Sequence, residues 1–285
     1  MKKDKKVDKI KLGIIGNPLE HTMSPKIHNF ICNTLKIKCD YNVCQIEEDQ
    51  IENFIEFAKD ENFSGFNITI PYKQKIMKYI DYIDPFAKKC DAVNTVSIKD
   101  NKLFGYNTDG EGFYLSLLNK NISVLDKDIS VIGCGGAAFG IVQKLLDEKC
   151  RSINIFCRDI LKAENLIKKD NKKIKAYSMQ KDILKDLISK SDILINTTPL
   201  GMKNFKDDFR EFSFLDNFNG VLCDIVYNPI LTSLLYQGKN RGIITVNGLN
   251  MLVNQGILSF EKFSGLELDK KVLSDLLYKE IKKYL

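Results

Sequence analysis

A chain of 285 residues with 44% hydrophobic and 28% charged residues has room for two domains of ordinary size, each with its own core. The net charge of +6 comes from lysines spread over many helix faces, with no basic cluster interleaved with aromatics, so a nucleic-acid surface is excluded as the organising feature. The eight cysteines show no C-x-x-C pair and no metal-ligand spacing, so they read as reduced thiols of a cytoplasmic protein without a metal; no apolar run has the length of a signal peptide or membrane span.

The chain opens on a basic tail over 1–11 and a first strand over 12–16, closed by the turn Asn17-Pro18. In His21-Thr22-Met23-Ser24-Pro25 the serine is a good N-cap and the proline suits the first helical position. The helix that follows is expected to bury Ile27, Phe30, Ile31 and Leu35, and Thr22 and Ser24 stand on a strand-to-helix loop. His21 and His28 share no helical spacing, so they make no zinc pair. A second strand spans 41–46, and Ile51, Phe54, Ile55 and Ala58 mark a helix by their i, i+3, i+4, i+7 spacing. A third strand over 65–69 runs into Ile70-Pro71-Tyr72-Lys73. Such alternation gives an open, mostly parallel sheet whose ligands lie beyond the carboxyl ends of its strands, where Asn67, Thr69 and Lys73 fall. Residues 91–96 and 102–107 read as a strand pair across the turn Asp100-Asn101. They lead to Thr108-Asp109-Gly110 and a helix with Phe113, Leu117 and Leu118; capping that helix is sufficient to account for Asp109.

Near the middle, a β-branched run ends in Gly133-Cys134-Gly135-Gly136-Ala137-Ala138, and helically spaced apolar residues follow over 139–146. This is the strand-turn-helix of a Rossmann-type dinucleotide site: Gly133 makes the bend, Gly135 lets a pyrophosphate approach the backbone, and Ala138 permits close helix packing. The helix start supplies unpaired N–H groups and a positive dipole end to the phosphates. A second strand over 152–157 ends at Arg158, where the adenosine ribose lies in such folds, and an arginine there suits a 2′-phosphate. Lys162 adds a second positive charge one turn on. Asp159 has two readings: it caps a helix over 160–166, or it accepts from the bare ribose hydroxyl of NAD. Further strands are expected over 192–197, 221–227 and 242–246. A helix opening at Gly248 carries Met251, Leu252, Gln255 and Leu258, and a last helix capped by Asp269 presents Val272, Leu273, Leu276, Leu277 and Ile281.

Seven of these segments, in this order, resemble the shikimate dehydrogenase family. They are Gly16-Asn17-Pro18 with His21-Thr22-Met23-Ser24-Pro25; Asn67-Ile68-Thr69-Ile70-Pro71-Tyr72-Lys73; Ala92-Val93-Asn94-Thr95; Asn107-Thr108-Asp109-Gly110; the glycine turn; Asn196-Thr197-Thr198-Pro199-Leu200-Gly201-Met202; and Gly248-Leu249-Asn250-Met251-Leu252-Val253-Asn254-Gln255. The resemblance implies an α/β protein of two domains: a substrate domain over 1–108 completed by helices over 249–285, and a Rossmann-type cofactor domain over 109–248, with a cleft between them. It implies NADPH-dependent reduction of 3-dehydroshikimate to shikimate, on the route to aromatic amino acids, by a monomer or homodimer whose partner is a small-molecule substrate. Lys73 and Asp109 match the catalytic pair. Thr22, Ser24, Thr69, Asn94, Tyr227 and Gln255 match substrate contacts, to which Asn67 adds itself by its place at the strand end. Gly133, Cys134, Gly135, Gly136 and Ala137, the segment with Arg158, Asp159 and Lys162, and Ile225 and Gly248 match cofactor contacts. The chain departs from the family at Thr22 (usually Ser), Asp91 (Gly), Cys157 (Asn), Asp159 (Thr) and Asn250 (Gly). A quinate or quinate/shikimate dehydrogenase using NAD or NADP, and a non-enzymatic NADP-binding sensor, are the alternatives on the same plan.

Overall fold

The computed structural model describes residues 9–161, 163, 172–203, 205, 209 and 214–285, and the chain divides into two compact units. The first runs to Gly112 and resumes over Val253–Lys283; the second is Phe113–Leu252 with the last two residues. The tail before Lys9, Lys162, and most of the helix expected over 160–166 lie outside the described residues.

The first unit holds β1 (Lys9–Gly16), β2 (Lys38–Gln45), β3 (Gly65–Ile68), β4 (Tyr82–Ile83), β5 (Thr95–Lys99) and β6 (Lys102–Tyr106) in the order β2-β1-β3-β5-β6-β4. β1 pairs parallel with β2 and β3, β4 pairs parallel with β6, and β5 is antiparallel to both β3 and β6. An inner parallel strand is covered on both faces, which is why β1 is a nearly unbroken apolar run with Ile10, Leu12, Ile14 and Ile15 all buried. Helices α1 (Ser24–Thr34), α2 (Ile51–Asp60) and α3 (Pro85–Cys90) connect the strands. β4 and α3 are too short to show a period and were not expected from sequence. The strand expected over 91–96 begins later, at Thr95, because Asp91 takes a left-handed conformation that ends α3.

Ser24 is not the N-cap of α1. Met23 holds that place, Ser24 is already helical, and the Thr22 hydroxyl accepts from the Ser24 N–H at 3.3 Å. The buried face of α1 is Ile27, His28, Ile31 and Cys32, with Phe30 and Leu35 only half-buried.

The second unit holds β7 (Asp128–Ile132), β8 (Ser152–Phe156), β9 (Ile174–Tyr177), β10 (Ile193–Asn196), β11 (Val221–Asp224) and β12 (Ile244–Val246), all parallel, in the order β12-β11-β10-β7-β8-β9. The first strand of the unit therefore lies beside its fourth, the reversal at which open α/β sheets bind ligands. The later α-helices among the described residues are α4 (Asp109–Leu118), α5 (Gly136–Asp147), α6 (Lys181–Ser189), α7 (Ser233–Asn240), α8 (Gly248–Ser264) and α9 (Lys270–Ile281). The division between units falls inside α4 and inside α8. One face of the second sheet packs Ile129, Val131, Ile141, Leu145 and Ile155; the other packs Ile132, Phe156, Leu194, Phe218 and Leu222.

β11 stops three residues short of the expected strand end because the Asp224 carboxylate takes the Val226 N–H at 3.0 Å and turns the chain. In α9, Asp269 caps as expected, but the buried face is Leu273, Ser274, Leu277 and Ile281, with Val272 and Leu276 exposed.

Candidate active site

β3 delivers Thr69 and then Lys73, whose backbone carbonyl is held by the Val93 N–H at 2.8 Å. The Lys73 ammonium donates to Asp109 Oδ2 at 2.6 Å, and both side chains are largely buried, 15% and 7% exposed. Asp109 is the first helical residue of α4, not the residue before it. Its own N–H is taken by Asn107 Oδ1 at 3.1 Å, and its second carboxylate oxygen accepts from Asn94 Nδ2 at 2.9 Å. A largely buried ion pair with an added hydrogen bond holds its carboxylate in one orientation and keeps the ammonium pointed at it.

Beneath the pair lies a saturated polar network. Asn94 Oδ1 accepts from the Thr108 N–H at 2.9 Å and from the Thr95 hydroxyl at 3.0 Å. The Ser259 hydroxyl on α8 meets those of Thr95 at 2.7 Å and Thr108 at 3.2 Å, and is anchored to the Gln255 carbonyl at 2.8 Å. Asn67 donates to Ser259 at 3.1 Å and accepts from the Tyr41 hydroxyl at 2.9 Å. Thus Asn67, Asn94, Lys73 and Asp109, far apart in sequence, sit on one connected framework. Gln255 lies against α4, where a Cβ on Gly112 would come within 2.8 Å of it. His28 stacks on Tyr41 with ring centroids 4.9 Å apart. Burial lowers its pKa to about 3, so the packed ring is neutral, and its Nδ1 has no hydrogen-bond partner. Among the described residues no group of three or more His, Cys, Asp or Glu is placed to hold a metal.

The second unit carries the glycine turn. Gly133 has φ +107°, and a Cβ there would lie 2.6 Å from Thr197 Oγ1, so only glycine fits. Gly135 precedes α5, and a Cβ built on it meets no protein atom within 4 Å. No side chain caps α5, so the N–H groups around Gly136 and Ala137 face this open space. A ready anion cradle of this shape fits a dinucleotide pyrophosphate. Arg158 and Asp159 are exposed just past β8, and Ile160 and Leu161 are already helical. Gly248 serves packing: a Cβ there would lie 2.1 Å from the Ile225 carbonyl oxygen. Ile225 is tied to Asn196 at 3.0 Å. The loops after β10 and β11 share one buried carboxylate, Asp224, which accepts from Asn196 at 2.9 Å and Thr232 at 2.7 Å; burial raises its pKa to about 6 despite these bonds. Tyr227 follows on that loop, half-buried, with burial raising its phenol.

Residues 14–96 match the shikimate dehydrogenase substrate binding domain, and residues 116–204 match shikimate / quinate 5-dehydrogenase. A shikimate dehydrogenase (NADP(+)) of Clostridium beijerinckii is 41% identical over 265 residues, covering 93% of this chain and 95% of that protein. The chain belongs to the shikimate dehydrogenase family. Among solved structures, shikimate dehydrogenase 1 of Peptoclostridium difficile matches with a TM-score of 0.83 at 33% identity, over 96% of this chain and 98% of that one. Shikimate 5-dehydrogenase of Listeria monocytogenes, solved with shikimate and NAD, matches with a TM-score of 0.85 at 29% identity, over 94% and 96%. Within this shikimate dehydrogenase fold, sequence reading missed Tyr41, Thr95, Thr108, Ser259, Asp224 and Thr232. Thr95 and Thr108 stand beside Asn94 and Asp109 in the motifs, and Ser259 is one helical turn after Gln255, so for these three a signal was present. Tyr41, Asp224 and Thr232 are found only through their partners in the fold.

Proposed function

We propose that this chain catalyses the reversible NADP-linked interconversion of 3-dehydroshikimate and shikimate in the cytoplasm. The observation that carries the reading is the Lys73–Asp109 pair, 2.6 Å apart at the end of β3, in a chain of this family. The dinucleotide, when bound, supplies the hydride. Lys73 donates the proton to the substrate oxygen and stabilises the charge that develops there, and Asp109 holds the ammonium in place and accepts from a substrate hydroxyl. Asn94 and Asn67 spend their amides inside the protein, so their part is to fix Asp109 and the strand ends. Thr22, Ser24 and Thr69 offer hydroxyls to the carboxylate and ring of a carboxylated polyol, with Gln255 and Tyr227 completing the substrate set. Gly133–Ala137 receive the pyrophosphate, Arg158 the 2′-phosphate, to which Lys162 adds a second positive charge, and Ile225 and Gly248 shape the far side of the cofactor. The reading is tested by incubating the protein with 3-dehydroshikimate and NADPH. Stoichiometric shikimate and NADP⁺ are expected, and NADPH binding without turnover would overturn it in favour of a sensor.

A further inference from the structure

Two thiols meet beside the glycine turn. Cys134 stands between Gly133 and Gly135, half-buried, and Cys157 follows β8 directly, 4% exposed. The β7–β8 register pairs Ile132 with Phe156, and the Gly133 N–H donates to the Phe156 carbonyl at 2.8 Å, so the two cysteines leave neighbouring strands side by side. Both sulfurs point to the same acceptor, the Asp159 carbonyl, at 3.7 Å from Cys134 and 3.2 Å from Cys157, which brings the two thiols together. All eight cysteines are free.

We propose that Cys134 and Cys157 are an oxidisable dithiol on the phosphate turn, which a hydroperoxide converts to a disulfide that shuts the dinucleotide out. The inference rests on the reading of this turn as the cofactor site. Cys134, the more accessible sulfur, attacks the peroxide: an S–O bond forms, the O–O bond breaks, and one water or alcohol leaves, giving a sulfenic acid. Cys157, 4% exposed, is shielded from peroxide but shares the Asp159 carbonyl with Cys134, where it is placed to resolve the sulfenic acid. Its sulfur bonds to that of Cys134, the S–O bond breaks, and the second water carries off the oxygen and the thiol proton. Two thiols lose two electrons and the peroxide gains them.

The product changes the site in two ways. A disulfide fixes its sulfurs about 2.05 Å apart, which draws the Gly133–Gly135 turn toward the end of β8. It also has no S–H, so both thiol hydrogen bonds to the Asp159 carbonyl disappear from the Arg158–Asp159 corner. The pyrophosphate cradle and the ribose-phosphate contact are thus disturbed together.

The test treats the full-length reduced protein with hydrogen peroxide, blocks remaining thiols, maps cross-linked peptides by mass spectrometry, and measures NADPH binding before and after, in the parent and in Cys157→Ala. A Cys134–Cys157 peptide is expected, with NADPH affinity falling by at least about tenfold and returning with dithiothreitol. NADPH bound beforehand should slow the cross-link, and the peroxide effect that dithiothreitol reverses should be much smaller in Cys157→Ala. Absence of the cross-link, or a cross-linked protein that binds NADPH as before, would overturn the proposal. Should the reduced protein bind no NADPH at all, the fault would lie with the cofactor-site reading on which the proposal rests, and the gating claim would fall with it.

Discussion

The first unit builds its site from side chains and the second builds its site from backbone. Around Lys73 and Asp109, amides and hydroxyls from β3, β5, the β6–α4 corner and α8 bond to one another in a closed set, so that each functional group is held by two or three others. At the glycine turn the corresponding work is done by what is missing: no Cβ at Gly133 or Gly135 and no side-chain cap on α5. A side-chain site fails by losing a partner; a backbone site fails by gaining an atom.

The largest effect expected from that difference is at Lys73. Lys73→Ala should lower kcat by about 10² to 10⁴, roughly 3 to 5 kcal/mol, with a much smaller change in substrate affinity. Steady-state kinetics checks this, and turnover within about threefold of the parent would make Lys73 a bystander. At the backbone site the equivalent damage comes from addition. Gly135→Ala should leave stability within about 1 kcal/mol, because nothing in the protein meets the new methyl, yet weaken NADPH by about 10², roughly 2 to 3 kcal/mol. A titration of NADPH alongside urea unfolding separates the two readouts; unchanged affinity would remove the pyrophosphate from this turn.

Acid should weaken the first unit through His28. The unfolded ring takes a proton below about pH 6.5, while the folded ring excludes it down to about 3, so stability is intact above that range and falls as pH drops through it. From about pH 7 to about pH 5 this amounts to roughly 2 kcal/mol. His28→Phe should lose that much less over the same interval in urea unfolding, and parallel slopes for parent and variant would refute the assignment. Asp224 in the second unit has the opposite sign: its raised pKa favours the folded state at low pH, and that contribution is lost as pH rises through about 6.

The smallest effect is on cofactor choice. Arg158→Ala should cut the preference for NADP over NAD by about tenfold, since one exposed charge-assisted contact is at stake. The ratio of kcat/KM for the two cofactors measures it, and an unchanged ratio would take the 2′-phosphate away from Arg158.

What could be read in the sequence follows the same division. Long strands with unbroken or alternating apolar runs, the glycine turn and the motif-bearing residues Lys73, Asn94 and Asp109 carry local signals, although Asn94 falls just before β5 rather than within it and Asp109 is the first residue of α4. Asp109 was assigned to capping on residue type alone because an N-cap aspartate and an ion-paired one look alike until Lys73 is brought to it by the fold. Ser24 shows the converse error, since a serine before proline fits the cap position but the helix starts one residue earlier. The exposed Val272 and Leu276 were placed on a buried face because an apolar residue on a helix does not announce which side the neighbours occupy. Tyr41 and Asp224 could not be singled out at all, their roles being set by partners 26 and 28 residues away.

The central claim is that this member of the family is an NADP-linked enzyme acting on shikimate. It is tested most directly by steady-state oxidation rates crossing shikimate and quinate with NADP and NAD. On the proposal that Thr22 lines the substrate pocket, its methyl would crowd quinate's extra hydroxyl, a difference worth about 1 to 3 kcal/mol. The highest kcat/KM is therefore expected for shikimate with NADP. A value for quinate equal to or above that for shikimate, or for NAD equal to or above that for NADP, would contradict the account.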